Sequence, residues 1–182
     1  MKKTTDKMYL IFPDRGLNEI MGCVKGKKML DIGCGFMSDL CRKLHEQGAE
    51  IIGLDINPEI RQEKFKTIVA DVFSIAPYFG DIFQKNHFDA VITKGFWSDP
   101  NVEHALEKDG LSTNSINLIS GINEILKPNG IYYNMDWGIA NPFFDRILDK
   151  KSMKTLGYSV LFNIPPESRC SYEVNIFKKN RR

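Results

Sequence analysis

Residues 29 to 40 read MLDIGCGFMSDL, an apolar run that ends in Asp31 and turns through Gly33 and Gly35 toward a helix-like segment. Two glycines one residue apart let backbone N–H groups approach a ligand closely. A strand-to-helix turn of this kind suits a dinucleotide, another adenosine compound or no ligand at all, and the glycines alone do not decide. Asp31 tips the balance. A diphosphate brings two negative charges, and a carboxylate about 4 Å away opposes each by roughly 1 to 4 kcal/mol depending on screening. A ligand carrying positive charge is drawn by the same group. Where a dinucleotide turn places its third glycine, this chain has Ser38. Two more aspartates end later apolar runs, Asp55 in EIIGLD and Asp71 in KTIVAD. A carboxylate accepts two hydroxyl hydrogens at once, so Asp55 suits a ribose in either kind of ligand. Taken singly, each aspartate also fits a helix cap or a turn.

The elements that must position these groups can be read from periodicity. Short apolar or β-branched runs recur at 27–32, 50–55, 66–71, 87–93 and 131–136, with helix-like segments between them. That alternation predicts a parallel sheet with helical crossovers. SDLCRKLHEQG puts Leu40, Cys41 and Leu44 on one face, with Ser38 as its cap and Gly48 at its end. SINLISGINEILKPNG spaces Ile116, Ile119, Ile122, Ile125 and Leu126 as a helix face, and Pro128-Asn129-Gly130 stops it before the next strand. NPFFDRILDKKSMKTLG predicts another helix, with Phe143, Phe144, Ile147 and Leu148 inward and Gly157 at its end. GYSVLFNI and YEVNIFKK are joined by a connection too short for a crossover, so they pair antiparallel.

The expected fold is therefore α/β: a doubly wound, seven-stranded mixed sheet, mostly parallel with a C-terminal antiparallel hairpin, and helices on both faces. Asp31, Asp55 and Asp71 then stand at the carboxyl ends of consecutive strands, where open sheets bind ligands. Two connections are unusual: residues 56–65 leave room for only a very short crossover, and residues 94–112 are long enough for a lid or a small extra helix.

Asp31-Ile32-Gly33-Cys34-Gly35 resembles the first motif of the class I S-adenosylmethionine-dependent methyltransferases, an acidic residue followed by GxGxG. LKPNG resembles the LKPGG turn before that family's fifth strand, and the likeness runs from about residue 25 to 178. The resemblance implies a Rossmann-like fold with S-adenosylmethionine as cofactor and S-adenosylhomocysteine as product. It places Asp31, Gly33, Cys34 and Gly35 around the methionine part, Asp55 and Ile56 at the ribose, and Asp71, Val72 and Phe73 at the adenine. Thr93 ends the fourth strand beside them. The donor has no phosphate and carries an ammonium and a sulfonium, which agrees with Asp31. Met37 departs from the pattern, standing where the family often has a third glycine, and packing under the helix is its plainest reading.

A methyl acceptor would lie near the ends of the fourth and fifth strands, which points to Thr93, Lys94, Phe96, Trp97, Asp99, His104, Tyr132, Asp136 and Trp137, with Lys94, Phe96, Trp97 and Trp137 as substrate contacts. His104 and Asp136 are the side chains there that could serve as a base, and neither is assigned as catalytic. TKGFW stands where the family's DNA and protein amide-nitrogen members carry an NPPY-type tetrapeptide, which argues against those acceptors. The resulting expectation is an enzyme transferring a methyl group by in-line displacement to a small molecule. The alternatives are a cofactor-binding protein without turnover, or a methyltransferase acting on RNA or protein.

Composition sets the outer bounds. A chain of 182 residues is read as one domain, with 1–24 as an N-terminal lid, 25–178 as the Rossmann-like core and 179–182 as a solvated basic tail. A net charge of +2 draws the protein strongly to neither nucleic acid nor a membrane, and the charge balance says nothing about oligomeric state. Cys23, Cys34, Cys41 and Cys170 form no CxxC pair, and His45, His87 and His104 are scattered, so no metal site is expected. The amino terminus has only five apolar residues in a row, too few for a signal peptide or a span, and a cytoplasmic location is expected.

Overall fold

The computed structural model describes residues 12–35, 38–60, 65–100, 102, 111–137, 150–164 and 172–181. Five parallel strands form the body of one sheet: β1 (Lys28–Ile32), β2 (Glu50–Asp55), β3 (Lys66–Val69), β4 (Phe88–Lys94) and β5 (Leu126–Trp137). The last two, β6 (Tyr158–Ile164) and β7 (Tyr172–Lys179), pair antiparallel with each other, and β7 also pairs antiparallel with β5. The order across the sheet is β3-β2-β1-β4-β5-β7-β6, the seven-stranded mixed arrangement expected. The chain moves outward from β1 to β3, then returns to lay β4 on the other side of β1. That reversal makes the gap between β1 and β4 the topological switch point, where a ligand cleft opens beyond the strand ends.

Helices cover both faces. On one side α1 (Pro13–Met21) and α2 (Asp39–Glu46) pack Leu17, Leu40, Cys41 and Leu44 against Met29, Ile51, Ala90 and Ile92. On the other, α3 (Val72–Ile75), a 3-10 turn (Ala76–Tyr78), α4 (Phe79–Phe83), α5 (Leu111–Ile125) and α6 (Lys150–Thr155) pack against Leu30, Ile32, Val91 and Tyr132. Successive strand residues point to opposite faces, and both faces of a central strand are covered here, so β1 is buried at nearly every position. Ile119, Ile122 and Ile125 of α5 are fully buried, each contributing about 1.5 to 3 kcal/mol of transfer free energy.

Several expectations are corrected. Ile116 is 47% exposed and lies off the buried stripe of α5. Leu126 belongs to β5, not to the helix: it pairs with Phe88, the register then slips so that Ile131 meets Ala90, and Asn129 takes φ +65 in the bulge between. Asparagine tolerates that left-handed conformation because its side chain bonds locally. Ser38 precedes α2 with φ +49 and does not cap it; its hydroxyl donates back to the Gly35 carbonyl at 3.0 Å. The described part of the N-terminal segment forms α1, a core helix whose Gly16 lets the Tyr133 side chain approach within 2.6 Å of where a Cβ would stand. The basic tail starts later than expected, since Lys179 closes β7 with its ammonium held by Asn86 Oδ1, the Asn123 carbonyl and the Leu126 carbonyl at 3.0, 2.6 and 2.7 Å. Phe143, Phe144, Ile147 and Leu148 lie outside the described residues, as does part of the 56–65 crossover. Among the described residues no helix is long and apolar enough to cross a membrane.

Candidate active site

A cleft of about 400 Å³ opens at the switch point, lined by the turn after β1 (Gly33, Gly35), the end of β2 (Leu54 to Asn57), the end of β3 (Ala70 to Phe73) and the segment after β4 (Gly95, Phe96, Asp99, Val102). Gly33 and Gly35 both have left-handed backbone, with φ of +70 and +71, a conformation that glycine adopts without strain. Among the described residues nothing lies within 4 Å of the point where a Gly35 Cβ would be, so a ligand can rest directly on that backbone.

Asp55 ties the turn to the neighbouring strand. Its Oδ2 accepts the Gly35 N–H at 2.8 Å and its Oδ1 accepts the Asn57 N–H at 2.9 Å. A carboxylate offers about four lone-pair directions, so after these two bonds it can still take a pair of hydroxyls. Beside it Ile56 is 67% exposed, an apolar surface on the wall of the cleft that the fold itself leaves uncovered.

Asp71 is both a helix cap and a lining residue of the cleft. It caps α3, with Oδ1 accepting the Phe73 N–H at 3.0 Å and Oδ2 the Ser74 hydroxyl at 2.7 Å, and it also lines the cleft with Val72 and Phe73. With Asp99 the cleft has three carboxylates among the described residues, and no lysine, arginine or histidine among the described residues lines it. Such a field opposes a diphosphate and suits a cation.

Asp31 is placed differently from its expected position. Strand alternation aims it with Met29 under α2, where it is 2% exposed, and Cys41 Sγ donates to its Oδ2 at 3.4 Å. Its Oδ1 is buried without a hydrogen-bond partner. Burial pushes its carboxyl up to about 7, only partly offset by the Cys41 bond and by Lys94, while Asp55 adds to the rise. The attraction for a cation therefore resides in Asp55, Asp71 and Asp99, with Asp31 buried away from the cleft. Cys34 also turns away from the cleft: its sulfur lies 2.9 Å from where a Gly53 Cβ would stand, on the side of Cys41.

The expected acceptor-side residues separate into two groups. Phe96 lines the cleft, with its ring 2.8 Å from a Cβ built on Gly33 and 5.9 Å, centroid to centroid, from Phe73. Trp97 and Thr93 are buried behind it and do not line it. Trp97 Nε1 donates to Tyr132 Oη at 3.1 Å, Tyr132 Oη meets Thr93 Oγ1 at 3.0 Å, and Thr93 donates to Asn134 Oδ1 at 2.7 Å. Lys94 is exposed at the end of β4. Trp137 ends β5 opposite Tyr172, its side chain outside the described residues, and His104 lies outside them altogether. Asp136 is 2% exposed and outside the cleft lining, and its oxygens accept the Trp97 and Ser98 N–H groups at 2.9 and 3.0 Å.

Sequence reasoning left Leu54, Asn57, Ala70, Gly95 and Val102 out of the lining. Asn57-Pro58, two residues after Asp55, is a turn signal that could have found the first of these loop residues. Among the described residues no group of histidine, cysteine or acidic side chains is arranged for a metal. A second cavity of about 560 Å³ lies among the helices on one face, lined by Ala76, Pro77, Asn117 and Ser120 among others, away from the strand ends.

Comparison with known proteins gives this geometry its context. A family described as "Methyltransferase domain" matches residues 24–171. Over 130 residues the chain is 28% identical to the sterol 24-C-methyltransferase of Pneumocystis carinii, covering 67% of this chain and 31% of that protein. The chain thus spans about a third of the curated relative. Among solved structures, a SAM-dependent methyltransferase from Methanosarcina mazei superposes with a TM-score of 0.61 at 17% identity, covering 90% of this chain and 98% of that one. The Burkholderia thailandensis 1,6-didemethyltoxoflavin-N1-methyltransferase, solved with its substrate and S-adenosylhomocysteine, superposes at 0.63 with 15% identity, covering 97% and 80%. At these identities the structural likeness is one of fold.

Proposed function

Because the chain belongs to the methyltransferase domain family, we propose that its cleft binds S-adenosylmethionine and directs the methyl group to a small-molecule acceptor, leaving S-adenosylhomocysteine. The observation that carries this reading is the union of the glycine turn with Asp55: one carboxylate holds the Gly35 N–H and keeps lone pairs for two ribose hydroxyls. Gly33 and Gly35 would hold the amino-acid part of the cofactor, Asp55 its ribose against Ile56, and Asp71, Val72 and Phe73 its base. The three carboxylates of the lining favour a ligand with an ammonium and a sulfonium over one with phosphates.

When bound, the cofactor supplies an electrophilic methyl group on sulfur. The protein's share is then to hold the acceptor in line with that group and to keep water out, which can supply much of the rate. Phe96 forms the apolar side of the space where an acceptor would stand. For acceptors that must lose a proton, Asp99 offers a carboxylate in the same lining. The names of the Pneumocystis carinii sterol enzyme and the toxoflavin enzyme specify small-molecule acceptors, which supports an acceptor of that class here.

Calorimetry tests the binding half: S-adenosylmethionine and S-adenosylhomocysteine should bind in the micromolar range, and NADH should not. Binding of NADH with none of either sulfur compound would reject the proposal. Transfer of isotopic methyl from the cofactor into a pool of small metabolites, with none into RNA or protein, tests the other half.

A further inference from the structure

We propose that Asp136 is a positioning residue that acts through the Phe96–Ser98 turn, holding the Phe96 ring against Gly33 and so shaping the acceptor side of the cleft. This rests on the cofactor-binding reading above for its functional meaning. Asp136 lies near the end of β5, paired with Glu173 of β7, and is 2% exposed. Its carboxylate bridges two consecutive backbone N–H groups, Trp97 at 2.9 Å and Ser98 at 3.0 Å. Charge-assisted bonds of this kind are about twice as strong as neutral ones, and a buried N–H left without a partner is costly.

Two further ties act on the same segment. Gly95 N–H donates to the Met135 carbonyl at 2.8 Å, one residue before Asp136. Trp97 is 3% exposed and donates from Nε1 to Tyr132 Oη at 3.1 Å. Between these anchors Phe96 has little choice of position. Its ring meets Trp97 edge-on at 5.1 Å and lies 2.8 Å from the space that a Gly33 side chain would fill. A carboxylate outside the cleft lining thus fixes a ring inside it, and Asp99 in the same lining follows directly from the clamped turn.

Hydrogen exchange and ligand binding test this together. In the unaltered protein the Trp97 and Ser98 amides should be protected as well as those of β4 and β5. In Asp136→Asn, which keeps the volume but sets a donor against a backbone donor, both amides should exchange at least tenfold faster while β1 and β2 are unchanged. S-adenosylhomocysteine should bind severalfold more weakly, and the effects of Asp136→Asn and Phe96→Ala should not add in the double variant. Unprotected amides in the unaltered protein, unchanged exchange in the variant, or additive effects would each overturn the proposal. If Asp136→Asn does not fold, the exchange pattern of the unaltered protein decides. If that protein binds no S-adenosylhomocysteine, the cofactor reading has failed, and exchange at Trp97 and Ser98 still tests the clamp by itself.

Discussion

The carboxylate of Asp55 at the end of β2 and the amide of Gly35 in the turn after β1, twenty residues apart, are joined at 2.8 Å. This bond makes the glycine turn and the ribose-side acid a single unit, so removing the acid disturbs both. Asp55→Ala should weaken S-adenosylhomocysteine binding by a factor of about 30 or more, since each lost charged hydrogen bond is worth roughly 1.5 to 3 kcal/mol. Isothermal calorimetry reads this directly. An affinity within threefold of the unaltered protein would remove Asp55 from the site.

Gly33 and Gly35 share one backbone conformation but not one environment. Alanine at either position meets the left-handed penalty of about 1 to 2 kcal/mol. Only at Gly33 does the new methyl also strike Phe96, at 2.8 Å. Urea unfolding should therefore rank Gly33→Ala as the more destabilised, and the difference from Gly35→Ala should vanish in a Phe96→Ala background. Gly35→Ala should instead lose ligand affinity beyond its effect on stability, because the open space above that backbone is where the ligand rests.

Asp31 gives a pH dependence with a definite sign. Its carboxyl is pushed by burial to about 7 when folded, against 3.8 in an ordinary setting. Between roughly pH 4 and 7 the folded state therefore holds a proton that the unfolded chain has released, and stability falls as pH rises, by up to about 1.4 kcal/mol per unit. Cys41, Lys94 and Asp55 are the charged or titrating groups that act on it. In Asp31→Asn this slope should disappear, so the variant gains on the unaltered protein between pH 5 and pH 8. Thermal melts across that range measure it, and parallel curves would be inconsistent with a buried, uncompensated acid.

Ile56 separates binding from folding. Because it is 67% exposed, Ile56→Ala should leave the unfolding midpoint unchanged. Affinity for S-adenosylhomocysteine should fall severalfold, since a ligand laid over the side chain would lose about 25 cal/mol for each Å² of apolar contact. Equal affinities in the two proteins would show that the ligand leaves Ile56 in solvent.

Lys179 is the opposite case, a charged residue that belongs to the core. Lys179→Met leaves the Asn123 and Leu126 carbonyls without its ammonium and should destabilise the protein by about 2 to 3 kcal/mol in urea titrations. Ligand affinity should be unaffected, because Lys179 is not among the lining residues of the cleft.

The sequence by itself determined the order and type of the elements and the places where ligand-binding turns occur. Apolar periodicity and the glycines, prolines and aspartates at strand ends are local signals, and strands alternating with helices admit few topologies. Asp55, Asp71, Gly33 and Gly35 were legible for that reason. The direction of Asp31 was not, because strand parity sends a side chain to one of two faces, and only the packing of α2 and Cys41 decides which face is sealed from the ligand. Asp136 was legible as a residue near the acceptor but not as a clamp, since its partners Trp97 and Ser98 are nearly forty residues away and meet it only once β4 and β5 pair. Lys179 was misread as tail for the same reason. Its partners lie on α5, on β5 and in the turn before β4, and an ammonium can be buried only where the tertiary structure brings oxygens to meet it.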